Sequence, residues 1–218
     1  MVVANHVRDR SNDDVTRRAP TVGDATKARI VRAALDCLRE HGVGGTSARA
    51  IARTGDFNQA LIFYHFGSVT DLLVAASLSE SERRAERYAE RLADVTTLPE
   101  LVAVARALHD EETQEGSVAV LTQMMAAAAH SDALRQAVLD GFGPWMRLVE
   151  GAIDRVVAPT PYAGILPTAD LAFAISSLFL GVELVSSLDP DRGTEQRLFQ
   201  TIEALTNIAT ALLQLPNS

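Results

Sequence analysis

TSARAIARTGDFNQALIFYHF, residues 46–66 of the chain, divides into two short helical patterns with a turn between them. Thr46-Ser47 offers a side-chain cap for the amides that open the first, which spans Ser47 to Thr54. Gly55-Asp56-Phe57 makes the turn. Asn58 is placed to cap the second helix, which runs to about His65. Two helices of this length around a three-residue turn have the dimensions of a helix-turn-helix, in which the second helix enters the major groove of DNA.

The residue types fit that geometry. Ala48, Ile51 and Ala52 give the first helix an apolar face, while Arg49 and Arg53 lie four apart on another, where guanidinium groups reach phosphates or base edges. Behind the Asn58 cap, Gln59 and Ala60 occupy the first turn of the second helix, the part that approaches bases, and glutamine pairs bidentately with adenine. Leu61 or Ile62 faces the bundle. Phe63, Tyr64 and His65 bring to the far end groups able to meet thymine methyls or phosphate oxygens.

Working outward, two such short helices cannot bury enough apolar surface alone. The preceding segment supplies a partner: from Thr26, Ile30, Val31, Ala34, Leu35 and Leu38 recur at helical spacing until His41-Gly42. Residues 1–24 mix charges, Asn, Ser and Pro without period and read as a flexible arm. Its Arg8, Arg10, Arg17 and Arg18 are interrupted by Asp9, Asp13 and Asp14. After Gly67-Ser68 a long helix is expected from Val69 to about Val95, its charged SERRAERYAERLAD stretch reading as a solvated face. Further helices follow over 98–114, 117–130, 132–157, 168–188 and 194–213, punctuated by Pro99, Gly116, the 159–167 loop and Asp189-Pro190. The fold class is therefore all-α, with residues 25–70 as a DNA-binding unit and 71–218 as a larger helical unit.

Charge is divided along the chain. Residues 1–66 carry 10 Lys+Arg against 7 Asp+Glu, a net +3, whereas the remainder accounts for −11 of the overall −8. Association depends on the local field, so the acidic total does not exclude a nucleic-acid partner. The single cysteine, Cys37, has no internal disulfide partner and fits a reducing compartment. The most apolar run, residues 171–182, falls short of the roughly 20 residues of a membrane span, and the first residues lack a signal-peptide core. A cytoplasmic protein without a membrane partner is expected.

The segment AIARTGDFNQALIFYHFGSVTDLL resembles the DNA-binding segment of tetracycline-repressor-type (TetR-family) transcription regulators. The shared pieces are Thr46-Ser47, Ile51-Ala52, the run Phe63-Tyr64-His65-Phe66, and Leu72-Leu73. With the first helix, the resemblance covers residues 26–74. It implies a homodimer that puts one reading helix per subunit into the major groove of a double-stranded operator, and a C-terminal helical domain whose small-molecule effector controls release. It also implies base reading by Arg49 and Gln59 with Asn58, Ala60 and Phe63 alongside, and phosphate contact by Ser47, Tyr64 and His65. Three positions depart from the family pattern: Asp56 stands where glycine is usual, Leu61 replaces a small polar residue, and Val69 replaces a lysine at the start of the fourth helix.

In the C-terminal half, the 168–188 helix is apolar nearly all round, which demands burial on several sides. Paired with the last helix it would form half of an intersubunit four-helix bundle, through Ala174, Ser177, Leu178 and Gly181 on one helix and Leu198, Ile202, Leu205, Ala209 and Leu212 on the other. A pocket for a mostly apolar effector is expected among Met124, Met125, Phe142, Trp145, Met146, Phe173 and Phe179, with His109 or His130 as polar contacts. The scarcity of internal cations points away from a large anionic effector. Two other functional classes have some support in the residues. His109-Asp110-Glu111-Glu112 places a histidine beside carboxylates but matches no strong metal motif, and no phosphate loop or nucleophile elbow is present, so neither an enzyme nor a metal or other cofactor is expected. A helical interaction module that has lost DNA binding is the other alternative.

Overall fold

The computed structural model describes residues 21–115, 117–186 and 193–213. Among these, nine helices follow one another with no strand: α1 (Val22–Gly45), α2 (Ala48–Thr54), α3 (Ala60–Phe66), α4 (Val69–Ala93), α5 (Leu98–Glu115), α6 (Ser117–Ala128), α7 (Asp132–Val157), α8 (Thr168–Ser186) and α9 (Thr194–Leu213). The arm arginines Arg8, Arg10, Arg17 and Arg18, the Asp189-Pro190 break and the side chain of Leu212 lie outside the described residues.

Helix starts follow side-chain caps. α1 begins earlier than its apolar period indicates, because Thr21 and Asp24 form a reciprocal capping box: Asp24 N–H donates to Thr21 Oγ1, and Thr21 N–H donates to the Asp24 carboxylate at 3.0 Å. Residues 21–24 thus belong to this helix start rather than to an arm. Its regular part ends where Gly42 takes a left-handed φ of 64°. Ser47, Ser68 and Ser131 accept the amides of Ala50, Asp71 and Leu134 and open α2, α4 and α7.

Three clusters of buried apolar residues make the core. The first joins Ile30, Ala33, Ala34 and Cys37 of α1 to Ala50 and Ile51 of α2, Ile62 of α3 and Leu72 of α4. This is the helix-turn-helix braced by its neighbours. The second joins Leu35 and Leu38 of α1 and Leu73 and Ala76 of α4 to Val120, Met124, Ala127 and Ala128 of α6 and Leu134 of α7. The third lies deeper in the C-terminal half, between α4, α5, α7 and α8, and includes Tyr88, Leu92, Leu108, Val149, Ile153 and Ala172. α4 contributes to all three. At 1.5 Å per residue it is about 37 Å long, and it forms one continuous strut between the two halves. Its C-terminal end is held to α7 by Arg155, which donates to the carbonyls of Leu92 and Val95.

The charged stretch of α4 is not simply a solvated face. Ser77, Glu80, Tyr88 and Leu92 are buried, continuing the apolar stripe of Leu73 and Ala76 at spacings of three and four. Arg84, within the same stripe, and Arg87 turn inward, where both pair with the fully buried Glu112 of α5.

α8 buries one stripe, Ala172, Ser176 and Glu183, against its own chain, and leaves Phe173 62% and Leu178 52% exposed. The helix is longer than its uncharged run because it continues through Glu183. Over its most apolar 18 residues the mean hydropathy is 1.6, so α8 has the length and composition of a membrane-crossing helix. That corrects the expectation that this segment is too short.

The candidate nucleic-acid interface and the C-terminal cavity

The orientation of α3 follows from which of its residues the core accepts. Ile62 is fully buried, and Leu61 and Phe66 pack against the same cluster at its edge. The opposite side then presents Asn58, Gln59, Ala60, Phe63 and Tyr64 to solvent, Tyr64 at 82% exposure. Leu61, a departure from the family pattern, therefore supports the bundle rather than facing outward.

The turn is built for close packing. A Cβ on Gly55 would stand 2.3 Å from the Phe57 ring and 2.7 Å from the Ala33 side chain, so glycine is required by contact with α1 rather than by its backbone angle. Asp56 takes the left-handed region, φ 50°, which aspartate tolerates better than most residues. Asn58 Oδ1 accepts the amide of Ala60 at 2.9 Å, which places Asn58 at the turn before α3 rather than within it. The ring of Phe57 lies under the Arg29 guanidinium, 5.5 Å from centroid to Cζ, tying the turn to α1.

Arg49 of α2 and Asn58 and Gln59 at the start of α3 line one shallow concave surface, together with Ala52, Arg53, Asp56 and Phe57. Arg53, four residues from Arg49 on the same helix face, shares this surface and adds a second guanidinium. Ser47 is exposed at the N-terminus of α2, its oxygen accepting from Ala50 N–H at 3.2 Å. At the far end of α3 the Tyr64 and His65 rings meet edge to face, 4.8 Å apart. Val69, where the family places a lysine, opens α4 and packs against both the helix-turn-helix cluster and the junction cluster. An apolar residue there joins the two clusters in place of a charge at the surface.

A cavity of about 80 Å³ lies between α4, α6, α7 and α8. Phe142, Trp145 and Phe179 line it with Tyr88, Leu121, Val138 and Leu180, and Ser77, Ser81, Arg84, Ser176 and Glu183 add polar groups. Trp145 is the centre of the aromatic wall, with ring centroids 5.6 Å from Tyr88 and 5.7 Å from Phe179. The other expected pocket residues are elsewhere. Met124 is consumed by the junction core, Met125 and Phe173 point outward, and Met146 is half-buried off the cavity wall. Helical period explains the split: only residues on the face shared with Phe142 and Trp145, or with Ser176 and Phe179, look inward.

The polar part of the lining comes from residues that the apolar pattern does not mark, Arg84, Ser176 and Glu183. Burial lowers the pKa of the Arg84 guanidinium, against the opposing pull of Glu80 and Glu183. His109 is buried but is not on the cavity wall; its Nδ1 lies 2.5 Å from Glu183 Oε1, and Glu183 is on the wall. The hydrogen bond to Glu183 raises the pKa of His109, outweighing the lowering effect of burial. His130 is exposed. The His109-Asp110-Glu111-Glu112 run disperses to separate partners, His109 to Glu183, Glu111 to Arg91 and Glu112 to Arg84 and Arg87. Among the described residues no group of three or more His, Cys, Asp or Glu is arranged to hold a metal.

On α8 the expected interface residues Ala174, Ser177 and Leu178 are exposed and Gly181 is half-buried. The α9 stripe divides. Phe199 and Thr206 face inward, Glu203 pairs with Arg106 of α5 at 2.9 Å, and Leu198, Ile202 and Ala209 are half-buried beside them. Leu205 and Ile208 project to solvent. Packing against α5 thus takes part of the face that periodicity alone assigned to a partner.

Residues 30–76 match the model of bacterial regulatory proteins of the tetR family. An HTH-type transcriptional regulator of Mycobacterium tuberculosis is 24% identical over 192 residues, 86% of this chain and 94% of the relative. An HTH-type transcriptional repressor of the same species is 37% identical over 81 residues, 36% of this chain and 43% of the relative. A transcriptional regulator from Pseudomonas aeruginosa PAO1 has the same fold, with a TM-score of 0.73 at 22% identity, over 90% of this chain and 95% of that one. The matched segment spans the helix-turn-helix and the start of α4, and the relatives are transcriptional regulators. Residues 30–76 are thus a DNA-binding segment of tetR-family type, and the chain is a DNA-binding transcriptional regulator.

Proposed function

We propose that this regulator acts in the cytoplasm as a homodimeric repressor, binding a two-fold-symmetric operator through α3 and released by a small molecule bound in its C-terminal half. The supporting observation is that Arg49, Asn58 and Gln59 share one exposed concave surface while Ile62, on the opposite side of α3, is locked in the core. Arg49 and Gln59 read base edges with Asn58, Ala60 and Phe63 beside them. Ser47, Tyr64 and His65 hold phosphates. In this assignment residues 21–70, from the α1 cap onward, form the DNA-binding unit and 71–218 the effector and dimerisation unit.

The dimer reading is supported by the uncovered apolar residues of the last two helices. Phe173, Leu178 and Val185 of α8 and Leu205 and Ile208 of α9 are all exposed in the single chain. A self-complementary face of this kind suits isologous pairing and a palindromic site. Burial in such a dimer also accounts for an α8 as apolar as a membrane span.

The effector acts by favouring a tilt of α4 that sets the two reading heads at a spacing unsuited to DNA. A useful switch needs a coupling of about 1–3 kcal/mol or more. The test is footprinting of purified protein on the promoter region of its own gene, with the oligomeric state measured in parallel. A symmetric protected site bound by a dimer is expected; a monomer that protects no defined site would refute the reading.

A further inference from the structure

The C-terminal cavity has a chemical polarity that the effector reading leaves unspecified. Its lining combines the aromatic rings of Phe142, Trp145 and Phe179 with the polar groups of Arg84 and Ser176. Arg84 donates through Nη2 to Glu112, but its buried Nε has no hydrogen-bond partner. The Ser176 hydroxyl, on a residue 1% exposed, has none either. A guanidinium has donors only and a serine hydroxyl can donate, so the group that satisfies both is an acceptor. Two acceptor atoms on one small planar group meet two such donors best, and a charged acceptor forms the stronger bonds.

Glu183 also lines the wall and would by itself favour a cation. Its Oε1 is committed to His109 at 2.5 Å, and it lies within the electrostatic reach of Arg84. Among the described residues, Arg84 Nε and Ser176 Oγ are buried without a hydrogen-bond partner, and no carboxylate oxygen is. Size limits the remainder: about 80 Å³ holds roughly six waters, hence a ligand of about ten non-hydrogen atoms.

We infer that the cavity takes a compact aromatic or branched monocarboxylate, with its acid group toward Arg84 and Ser176 and its apolar body against Trp145, Phe142 and Phe179. This rests on the effector reading only in giving the cavity a small-molecule occupant. It replaces the sequence expectation of a mostly apolar ligand, which missed the inward turn of Arg84.

The test is isothermal titration calorimetry of the full chain with phenylacetate, phenethylamine and toluene. Phenylacetate binds at least tenfold more tightly than either of the others. Ser176→Ala and Arg84→Lys, the latter keeping a cation beside Glu112, each weaken phenylacetate at least fivefold and leave toluene unchanged. Should Arg84→Lys fail to fold, Ser176→Ala decides. Absence of phenylacetate binding, equal or tighter binding of the amine or toluene, or indifference to Ser176→Ala overturns the inference. Operator release, measured separately, distinguishes the two readings. Phenylacetate that binds in the expected order without changing operator affinity supports the ligand class and refutes the effector role. Release of the operator by toluene but not by phenylacetate supports the effector role and refutes the ligand class.

Discussion

Gln123 of α6 accepts a hydrogen bond from the backbone N–H of Val43 at 2.9 Å, across 80 positions of sequence. The bond sits at the left-handed Gly42 that ends the regular part of α1, so a side chain of the C-terminal half fixes the loop leading into the helix-turn-helix. Leu121, two residues earlier on α6, lines the cavity. Substituting Gln123→Leu leaves the Val43 amide without its partner and is expected to cost about 1 kcal/mol in urea denaturation. An unchanged midpoint would mean that water replaces the side chain at no cost.

The Glu112 cluster is more sensitive. Glu112 is fully buried and holds Arg84 and Arg87. Removing its charge in Glu112→Gln takes a buried carboxylate away from both guanidinium groups, and the expected loss is about 3–5 kcal/mol, the range for breaking a buried pair. A loss below about 1 kcal/mol, the scale of exposed ion pairs, would show that solvent relaxes into the site.

Stability should depend on pH through His109. Its folded-state pKa is raised above the ordinary 6.5, first by the hydrogen bond to Glu183 and further by the charges of Glu183, Asp110 and Glu195, against burial. The folded state therefore holds the proton more tightly than the unfolded chain. The resulting stabilisation is complete below about pH 6.5 and is lost as pH rises through the elevated value. Thermal melts from pH 6.5 into the mildly alkaline range should fall more steeply for the native chain than for His109→Gln. Parallel slopes would remove His109 as the cause.

Gly55→Ala tests the turn. The added methyl would meet Phe57 and Ala33 at distances no side chain tolerates, so a loss of about 1–3 kcal/mol is expected from overpacking. DNA affinity should fall as well, since Phe57 borders the surface carrying Asn58 and Gln59. A variant that melts and binds normally would show that α1 yields easily.

The sequence made the helix-turn-helix legible because local rules decide it: Ser47 caps, Asp56 tolerates a left-handed backbone and Ile62 follows the apolar period of its helix. The start of α1 is readable from Thr21 and Asp24, but their capping box precedes the first apolar repeat, so periodicity alone leaves it in the arm. The cavity was half legible. Phe142, Trp145 and Phe179 are large enough to announce themselves, whereas Arg84 lies in a charged run that looks solvated until Tyr88 and Leu92 are seen to continue the stripe of Leu73. No local pattern reveals that Glu112, on another helix, makes burial of two arginines tolerable. The division of α9 was hidden for a similar reason, since periodicity finds an apolar face without saying whether α5 or a second copy covers it.

In the proposed complex Arg49 and Gln59 read bases while Tyr64 and His65 hold the backbone. The most direct test is fluorescence anisotropy of the native chain, Gln59→Ala and Tyr64→Phe on the footprinted operator and on scrambled DNA across a salt series. Gln59→Ala should lose about 1–3 kcal/mol of discrimination between the two sequences. Tyr64→Phe should weaken both alike. Salt-sensitive binding of the native chain that is equal on every sequence would contradict the account.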